Sequence, residues 1–538
     1  MSGEKVTVIK GGLVVTGVEG QKAAVGDVVL AGERVHGVYF DAAETAAALA
    51  ALAAAGAAPA EEYDAAGKVV MPGGVDPHVH LEYPQGGNRI HSCDDFYTGS
   101  VAAACGGTTT FVDFVEASND WRAEALVDAL AARRAAAEAR GAVVDFSFHM
   151  TINRDDGGDE EALRREVAAV VAAGVTSFKM YTAYDGIRVT DAQMLRALRA
   201  LKREGGLPIV HAETHDLIMD RVAECRAMGA AGRDARWQPY TRCVQGEQEA
   251  TNRVAMLAEA VGVPAGVHIV HVTAALALPT LQTAQHRALA NGMGPITGEV
   301  CTQHLALTDA VYAQGHAVSC DYICAPPMRP QADVDAMWLA AANGTLRFVV
   351  TDHCPFTRAQ RRGLRRVPEF RRHWDAAGAC TVAHAADTET PDVRAHEQWH
   401  AAAPAELPPF YAMPGGIAGI ETRLHLLYTD GVAAGRITLE RFVELASSGA
   451  AKRYNMFPRK GCLAPGSDAD VTVLDPAAET VLSAATLHQN CDVCPYEGRV
   501  AKCAVARVYA RGDCLVRDGL FVGEACHHRG RFIARPRY

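Results

Sequence analysis

The feature of this chain that most constrains its fold is a repeated alternation of short apolar runs with longer segments of helical period. The apolar runs begin at about residue 69, and each is followed by helix-like or loop sequence. In chain order they are VVMPGGVD, TTTFVDFVE, VVDFSFHM, VTSFKMY, LPIVHAE, VHIVHV, GEVCTQH and LRFVVTDHC. Eight such units over roughly 390 residues predict an α/β fold, a TIM-like (β/α)8 barrel with insertions.

Both ends of the chain show a different pattern, in which short strands are separated by Gly-containing turns. We expect these ends to pair into a small β-sandwich domain. The predicted division is residues 1–68 for the first part of the sandwich, 69–457 for the barrel, and 458–538 for the second part and a C-terminal tail. Residues 42–60 are nearly all Ala and predict a helical or loop insertion at the surface. Residues 357–408 follow the last barrel strand and predict either a lid or a disordered segment.

Composition excludes several classes of partner. The net charge of −11 argues against nucleic acid, because phosphate binding needs a basic face. No apolar run reaches eighteen residues, and MSGEKVTVIKGG lacks the apolar region of a secretory signal, so we expect no membrane contact. The fifteen cysteines are scattered, which is typical of reduced thiols and predicts a cytoplasmic protein. The single CxxC pair, Cys491 and Cys494, is a weak zinc signal.

The strongest chemical feature is the pair His78 and His80. Residues two apart on a strand point to the same face, so both imidazoles can reach one ion, and paired imidazoles suit zinc and its neighbours. The carboxyl ends of barrel strands meet at one mouth, where active sites lie. Four more residues able to bind a metal each follow an apolar run: Lys179, His211, His271 and Asp352. The sequence therefore predicts a metal site built from six side chains.

Alternation along the strands separates ligands from their neighbours. His268 and His271 are three apart and should point to opposite faces, so we assign His271 to the mouth and expect His268 to pack outside the barrel. His353 follows Asp352 and should face away, as a supporting residue. Glu213, two residues past His211, is a second supporting candidate. His304 ends another predicted strand and remains a rival ligand.

Lys179 requires separate chemistry, because an ammonium group is repelled by a metal dication. It becomes a ligand when CO₂ converts the amine to a carbamate, whose two oxygens can bridge two ions about 3.5–4 Å apart. The alternative interpretation is a buried lysine paired with a carboxylate.

At this point the sequence resembles a known family, the dihydropyrimidinases and D-hydantoinases of the cyclic amidohydrolase superfamily. The resemblance extends from about residue 6 to residue 535. It rests on PGGVDPHVHLEYP, CDDFYTGSVAAACGGTTTFVDF, SFKMYTAY, IVHAETHDLI, IVHVTAA, YICAPPMRP, TDHCPF and CPYEG, which occur in the family's order.

The resemblance implies a barrel plus a β-sandwich from both chain ends, a homotetramer, and two Zn²⁺ ions per subunit bridged by N6-carboxylysine at Lys179. By motif, His78, His80 and Asp352 match the ligands of the first ion, and His211 and His271 match those of the second.

It further implies that a hydroxide held by the two zinc ions attacks a small cyclic amide, namely dihydrouracil, dihydrothymine or a hydantoin, to give an N-carbamoyl amino acid. Asp352 would carry the proton to the leaving nitrogen, and Tyr184 would hydrogen-bond the substrate carbonyl. Ala325 and Gly415 match positions that contact the ring through their backbone.

Several positions depart from the family pattern. The loop LEYPQGGNRIHS stands where many members have LEMPFGG, which leaves the preferred substituent on the ring open. Glu82 occupies the position where a dihydroorotase would carry Arg to bind the substrate carboxylate. An allantoinase-like hydrolase is the alternative within the superfamily. A non-catalytic tetrameric scaffold, which would have lost its ligands, is the alternative of another class.

Overall fold

The computed structural model describes residues 5–85, 90–117, 124–153, 158–361, 370–374, 380–384, 407–523 and 529–538. The strands, in chain order, are β1 Lys5–Val14, β2 Ala24–Ala31, β3 Arg34–Tyr39, β4 Ala58–Asp64, β5 Val69–Pro72, β6 Gly74–Val79, β7 Pro84–Gln85, β8 Ile90–His91, β9 Thr108–Val115, β10 Asp145–Thr151, β11 Ser177–Tyr181, β12 Leu207–His211, β13 Val267–Ile269, β14 Ile296–Cys301, β15 Leu346–Val350, β16 Phe370–Trp374, β17 Cys380–His384, β18 Val471–Asp475, β19 Thr480–Leu482, β20 Arg499–Ala501, β21 Ala504–Ala510, β22 Asp513–Arg517 and β23 Leu520–Phe521.

The α-helices are α1 Ala42–Ala54, α2 Phe96–Cys105, α3 Leu126–Arg140, α4 Glu160–Ala172, α5 Asp191–Glu204, α6 His215–Ala227, α7 Gln238–Thr241, α8 Val244–Val261, α9 Leu278–Ala290, α10 Thr302–Ala306, α11 His316–Ser319, α12 Gln331–Asn343, α13 Arg358–Arg361, α14 Arg423–Leu427, α15 Leu439–Val443 and α16 Gly449–Arg453. Two π-helical segments, Tyr428–Ala433 and Glu444–Ser448, continue α14 and α15.

The eight predicted barrel strands form one parallel sheet in the order β15-β14-β13-β12-β11-β10-β9-β6. Its two edges meet through a parallel bridge between Val79 and His353, where the His80 backbone N–H donates to the His353 carbonyl (2.8 Å). The run VVMPGGVD is divided at Gly73, so that β5 leaves the barrel and only β6 belongs to it. The predicted TIM-like α/β fold is confirmed.

The helical layer follows from local sequence signals, and α5 illustrates them. Thr190 caps the helix in a reciprocal capping box with Gln193, and Gly205 ends it with a left-handed φ of 71°. Met194, Leu198 and Leu201 recur at helical spacing and are buried against the barrel.

Strands from both chain ends form a second, nine-stranded mixed sheet, as predicted. Its path is β23-β22-β21-β18-β5-β1-β2-β3, with β4 parallel to β1. The Ala-rich stretch forms helix α1, capped by the Asp41 side chain, and its Leu49 and Leu52 pack on Val6 and Val8 of β1.

The segment 357–408 lies mostly outside the described residues, so the predicted lid or disordered loop is not described. Its described parts are α13 and the β16–β17 hairpin. Within the described ranges, no helix combines the length and the apolar character needed to cross a membrane.

Candidate metal centre

The carboxyl end of β6 and the turn that follows β15 bring His78, His80 and Asp352 together at the barrel mouth. Asp352 Oδ1 lies 3.1 Å from His78 Nε2 and 3.0 Å from His80 Nε2. Burial lowers the pKa of His80 to about 4, so this imidazole is neutral. Burial opposes ionisation of Asp352, but His78 and His80 hold its pKa well below the usual range. The result is a carboxylate facing two imidazole nitrogens.

A carboxylate behind His78 fixes the orientation of its ring. His78 Nδ1 donates to Glu299 Oε1 (2.6 Å), and His268 Nε2 donates to Glu299 Oε2 (3.0 Å). Burial opposes ionisation of Glu299, yet His78 and His268 lower its pKa to about 2. A carboxylate that accepts from the far nitrogen of a ligand histidine fixes its tautomer. The sequence analysis did not identify Glu299, although this residue lies two positions before Cys301 on β14 and therefore points to the same face of that strand.

His268 corrects one prediction. We expected it outside the barrel, but it lies inside, stacked on Phe348 and bonded to Thr297 and Glu299. Strand β13 ends at Ile269, and His271 takes a positive φ of 37°, so alternation does not extend from His268 to His271. Both histidines therefore face inward, at different depths.

The second pair of predicted ligands also meets at the mouth. His211 Nδ1 and His271 Nε2 are 2.8 Å apart, and the His271 ring centroid lies 5.6 Å from that of His78. Burial lowers the pKa of His211, and that of His271 further, so both rings are neutral. His211 Nε2 donates to Glu213 Oε2 (2.6 Å), so the contact expected of Glu213 is present.

Lys179 lies between these two groups, on β11. Its Nζ is over the rings of Phe114 (4.8 Å) and Tyr181 (5.1 Å), and only 1% of the residue is exposed. Burial lowers the pKa of the Lys179 amine to about 8. Within the described part of the chain, no carboxylate forms an ion pair with it, so the alternative of a paired lysine lacks its partner.

The backbone at the mouth is strained. Glu82, Tyr184, His271 and Asp352 all have positive φ values, between 37° and 79°. Such conformations cost free energy in residues other than glycine and persist where the surroundings enforce them, often at functional sites. Three of these four residues are predicted site residues.

Tyr184 lies beside the second pair of ligands, with its ring centroid 5.0 Å from that of His211. The Arg242 guanidinium is stacked 4.9 Å from the Tyr184 ring and also pairs with Glu213. Arg242 therefore joins the predicted substrate-binding tyrosine to the carboxylate behind His211. The sequence interpretation missed Arg242, because a lone arginine in a loop gives no signal.

The two predicted backbone contacts lie on adjoining segments. The Gly416 N–H donates to the Ile323 carbonyl (2.9 Å), which brings the chain around Gly415 next to that around Ala325. Gln85 Nε2 donates to the Gly415 carbonyl (2.8 Å), so the departing loop after His80 holds this segment directly.

The remaining sequence candidates are accounted for. His304 Nε2 donates to the Pro326 carbonyl and belongs to neither ligand group. His353 Nε2 donates to Asp94, while its Nδ1 accepts from the Gly419 backbone, so it faces away from the mouth as expected.

The donor set fits a metal. His78 Nε2 and His80 Nδ1 are buried without a hydrogen-bond partner among the described residues. His78 Nε2 and His80 Nε2 both lie within 3.1 Å of Asp352 Oδ1, so two imidazole nitrogens and a carboxylate oxygen converge on one point. Imidazole and carboxylate donors at this spacing suit zinc, and these three residues form a metal-competent group.

Comparison with known proteins agrees with this geometry. Residues 69–515 match the model of the amidohydrolase family. The D-phenylhydantoinase of Escherichia coli strain K12 is 36% identical over 478 residues, 89% of this chain and 90% of that protein. The D-hydantoinase of Bacillus sp. AR9 superposes with a TM-score of 0.79 at 33% identity, covering 99% of both chains. The dihydropyrimidinase of Brevibacillus agri NCHU1002 gives 0.80 at 30% identity, again covering 99% of both chains.

The fold, the side chains assembled at the barrel mouth and these similarities agree. The chain belongs to the amidohydrolase family and is a cyclic amidohydrolase of the hydantoinase/dihydropyrimidinase type.

Proposed function

We propose that this protein is a binuclear zinc enzyme that opens cyclic ureides and imides by hydrolysis to N-carbamoyl amino acids. The observation that carries the proposal is the convergence of six side chains on one barrel mouth. These are His78, His80, Lys179, His211, His271 and Asp352. Lys179 would act as the bridging carbamate, for which a buried, unpaired amine of lowered pKa is the suitable precursor.

Two bound zinc ions would supply a water of lowered pKa and an electrophile for the carbonyl oxygen. Asp352 would accept the proton of that water and deliver it to the leaving ring nitrogen. Its backbone strain and its contacts with two histidines fix the carboxylate in one orientation.

Tyr184 would donate its hydroxyl proton as a hydrogen bond to the substrate carbonyl oxygen, where negative charge develops. Burial raises the pKa of this hydroxyl well above its usual value, so it remains a donor at neutral pH. The Arg242 guanidinium, stacked 4.9 Å from the centroid of the Tyr184 ring, holds that ring in place.

The ring of the substrate would lie against the backbone of Ala325 and Gly415. Glu82, at the position where a dihydroorotase would carry an arginine, pairs with Arg140 (2.8 Å). This position therefore offers no cation to a substrate carboxylate, which supports neutral rings such as dihydrouracil and hydantoin over dihydroorotate.

A substrate panel tests the proposal. The zinc-loaded protein is assayed with dihydrouracil, 5-substituted hydantoins, allantoin and dihydroorotate, with Asp352→Ala as the inactive reference. We expect ring opening of dihydrouracil or a hydantoin with the highest kcat/KM. Preference for allantoin would favour the allantoinase alternative, and absence of turnover with all four would favour the scaffold alternative.

The same family resemblance supports a cytoplasmic location and a homotetramer. The molar mass in solution would test the tetramer. A mass of one or two chains would contradict it.

A further inference from the structure

A second group of potential metal ligands lies outside the barrel mouth. Cys105 ends helix α2, Glu421 precedes helix α14, and His488 lies in the loop between β19 and β20. One donor atom from each lies within 4.8 Å of the others, and no residue of the three is more than 8% exposed. We call these three residues the Cys105 cluster.

The three side chains contact one another directly. His488 Nδ1 donates to Glu421 Oε1 (2.7 Å), and the His488 backbone N–H donates to Glu421 Oε2 (2.6 Å). The Cys105 thiol forms a hydrogen bond with the His488 side chain. Glycine at position 106 permits this approach, because a Cβ there would lie 2.6 Å from the Glu421 Cα.

The surroundings favour a positive charge in the cluster. A carboxylate and a thiol flank the single base, and the partial negative charge of the α2 C-terminus is at Cys105. These neighbours favour a cation at this buried position.

We propose that the Cys105 cluster binds one divalent transition-metal ion of the zinc type, independently of the barrel mouth. Thiolate, imidazole and carboxylate are the three kinds of ligand that zinc takes from proteins. Binding releases the thiol proton of Cys105 and the imidazolium proton of His488. The thiolate and the carboxylate then balance the two positive charges of the ion, so the buried site carries no net charge.

Such an ion would connect three separate segments. Asn490, two residues after His488, donates its backbone N–H to Asp94, which also accepts from His353. The ion would therefore fasten the C-terminal loop to the barrel wall behind Asp352. The proposal does not depend on hydrolysis, because the cluster shares no residue with the mouth.

Sulfur distinguishes the two sites experimentally. The six mouth residues offer only nitrogen and oxygen ligands, whereas the Cys105 cluster offers a thiolate, with a Zn–S distance of about 2.3 Å. We would record zinc X-ray absorption spectra and zinc content for the wild-type protein, Cys105→Ser, His488→Gln and the control Cys491→Ser.

The expected result is a Zn–S shell in the wild type and in Cys491→Ser. In Cys105→Ser and His488→Gln we expect about one zinc fewer per chain, with the sulfur shell lost in Cys105→Ser. A wild-type spectrum without sulfur, or a sulfur shell that persists in Cys105→Ser, would overturn the proposal. Failure of the mouth to bind zinc would instead reduce the nitrogen and oxygen scattering to that of His488 and Glu421 and leave the sulfur shell.

A second measurement avoids dependence on variants that fold poorly. Co²⁺ is added to the metal-free wild-type protein, and the near-ultraviolet band of thiolate-to-cobalt charge transfer is followed by absorption. We expect this band to appear on addition of Co²⁺ and to disappear when Zn²⁺ displaces the Co²⁺. A cobalt-loaded protein without the band would contradict the proposal.

Discussion

The barrel mouth and the Cys105 cluster both gather histidine and carboxylate side chains, but they use the imidazole nitrogens differently. At the mouth, His78 Nε2 and His80 Nδ1 have no partner among the described residues, and burial lowers the pKa of His80 to about 4. In the Cys105 cluster, His488 is bonded to Glu421, and although burial opposes it, Cys105 and Glu421 raise its pKa to about 11.

The difference lies in what competes with a metal ion. Burial lowers the pKa of His80, His211 and His271, so these rings bind an ion without first losing a proton, whereas His488 must give up a tightly held one. We therefore expect the mouth to retain its ions at lower pH than the Cys105 cluster does.

Removing the charge at Asp352 should have the largest consequence. Asp352→Asn retains the size of the side chain but loses the carboxylate that faces His78 and His80 and that would transfer the proton. We expect kcat/KM for ring opening to fall by about 10³-fold or more, measured with the best substrate of the panel. Activity within tenfold of the wild type would show that Asp352 does not transfer the proton.

Weakening the support behind a ligand should have an intermediate effect. Glu299→Gln removes the charge that accepts from both His78 and His268. We expect zinc affinity at the mouth to fall by about 10–100-fold, measured by competition with a chelator. Glu259→Gln, in an ion pair with Arg287 on the helical layer, serves as the control and should leave affinity unchanged.

Arg242 should influence turnover more than substrate binding. Arg242→Met removes the guanidinium that contacts both Tyr184 and Glu213. We expect kcat to fall by about tenfold with a smaller change in KM, because the Tyr184 hydroxyl is needed most when charge develops on the carbonyl oxygen. The control Arg253→Met loses only pairs with Asp191 and Glu249. A change confined to KM would contradict this positioning role.

The smallest effect concerns stability without metal. His488 has a folded-state pKa raised from 6.5 to about 11, so its contribution is complete below pH 6.5 and is lost as pH rises towards 11. Across this window we expect the Tm of the metal-free protein to fall by about 1 °C per pH unit from this group. Calorimetry should find a flatter profile for His488→Gln. Parallel profiles of the two proteins would show that His488 is not held as an imidazolium.

Sequence patterns predicted much of this structure because they record local geometry. The eight apolar runs appear as eight parallel strands, and the period-two pair His78 and His80 shares one face. Alternation failed at His271, where the strand had already ended and φ is positive. The run VVMPGGVD was predicted to form one strand, but it forms two, β5 and β6, which belong to different sheets. An apolar run alone does not reveal which sheet each of its parts joins.

Contacts distant in sequence were not predictable. Arg242 reaches Glu213 and Tyr184 from a loop, and the Cys105 cluster joins residues 105, 421 and 488. No periodicity connects such positions, because the folded chain alone brings them together. Glu213 was the exception, since its spacing of two from His211 placed both on one side.

The most direct test of the central claim is the activity of Lys179→Ala with and without added acetate. If Lys179 supplies a bridging carbamate, the variant should lose both zinc and ring-opening activity, and acetate should restore part of each by offering two carboxylate oxygens in the vacated space. Near-normal activity of Lys179→Ala without acetate would contradict the binuclear site.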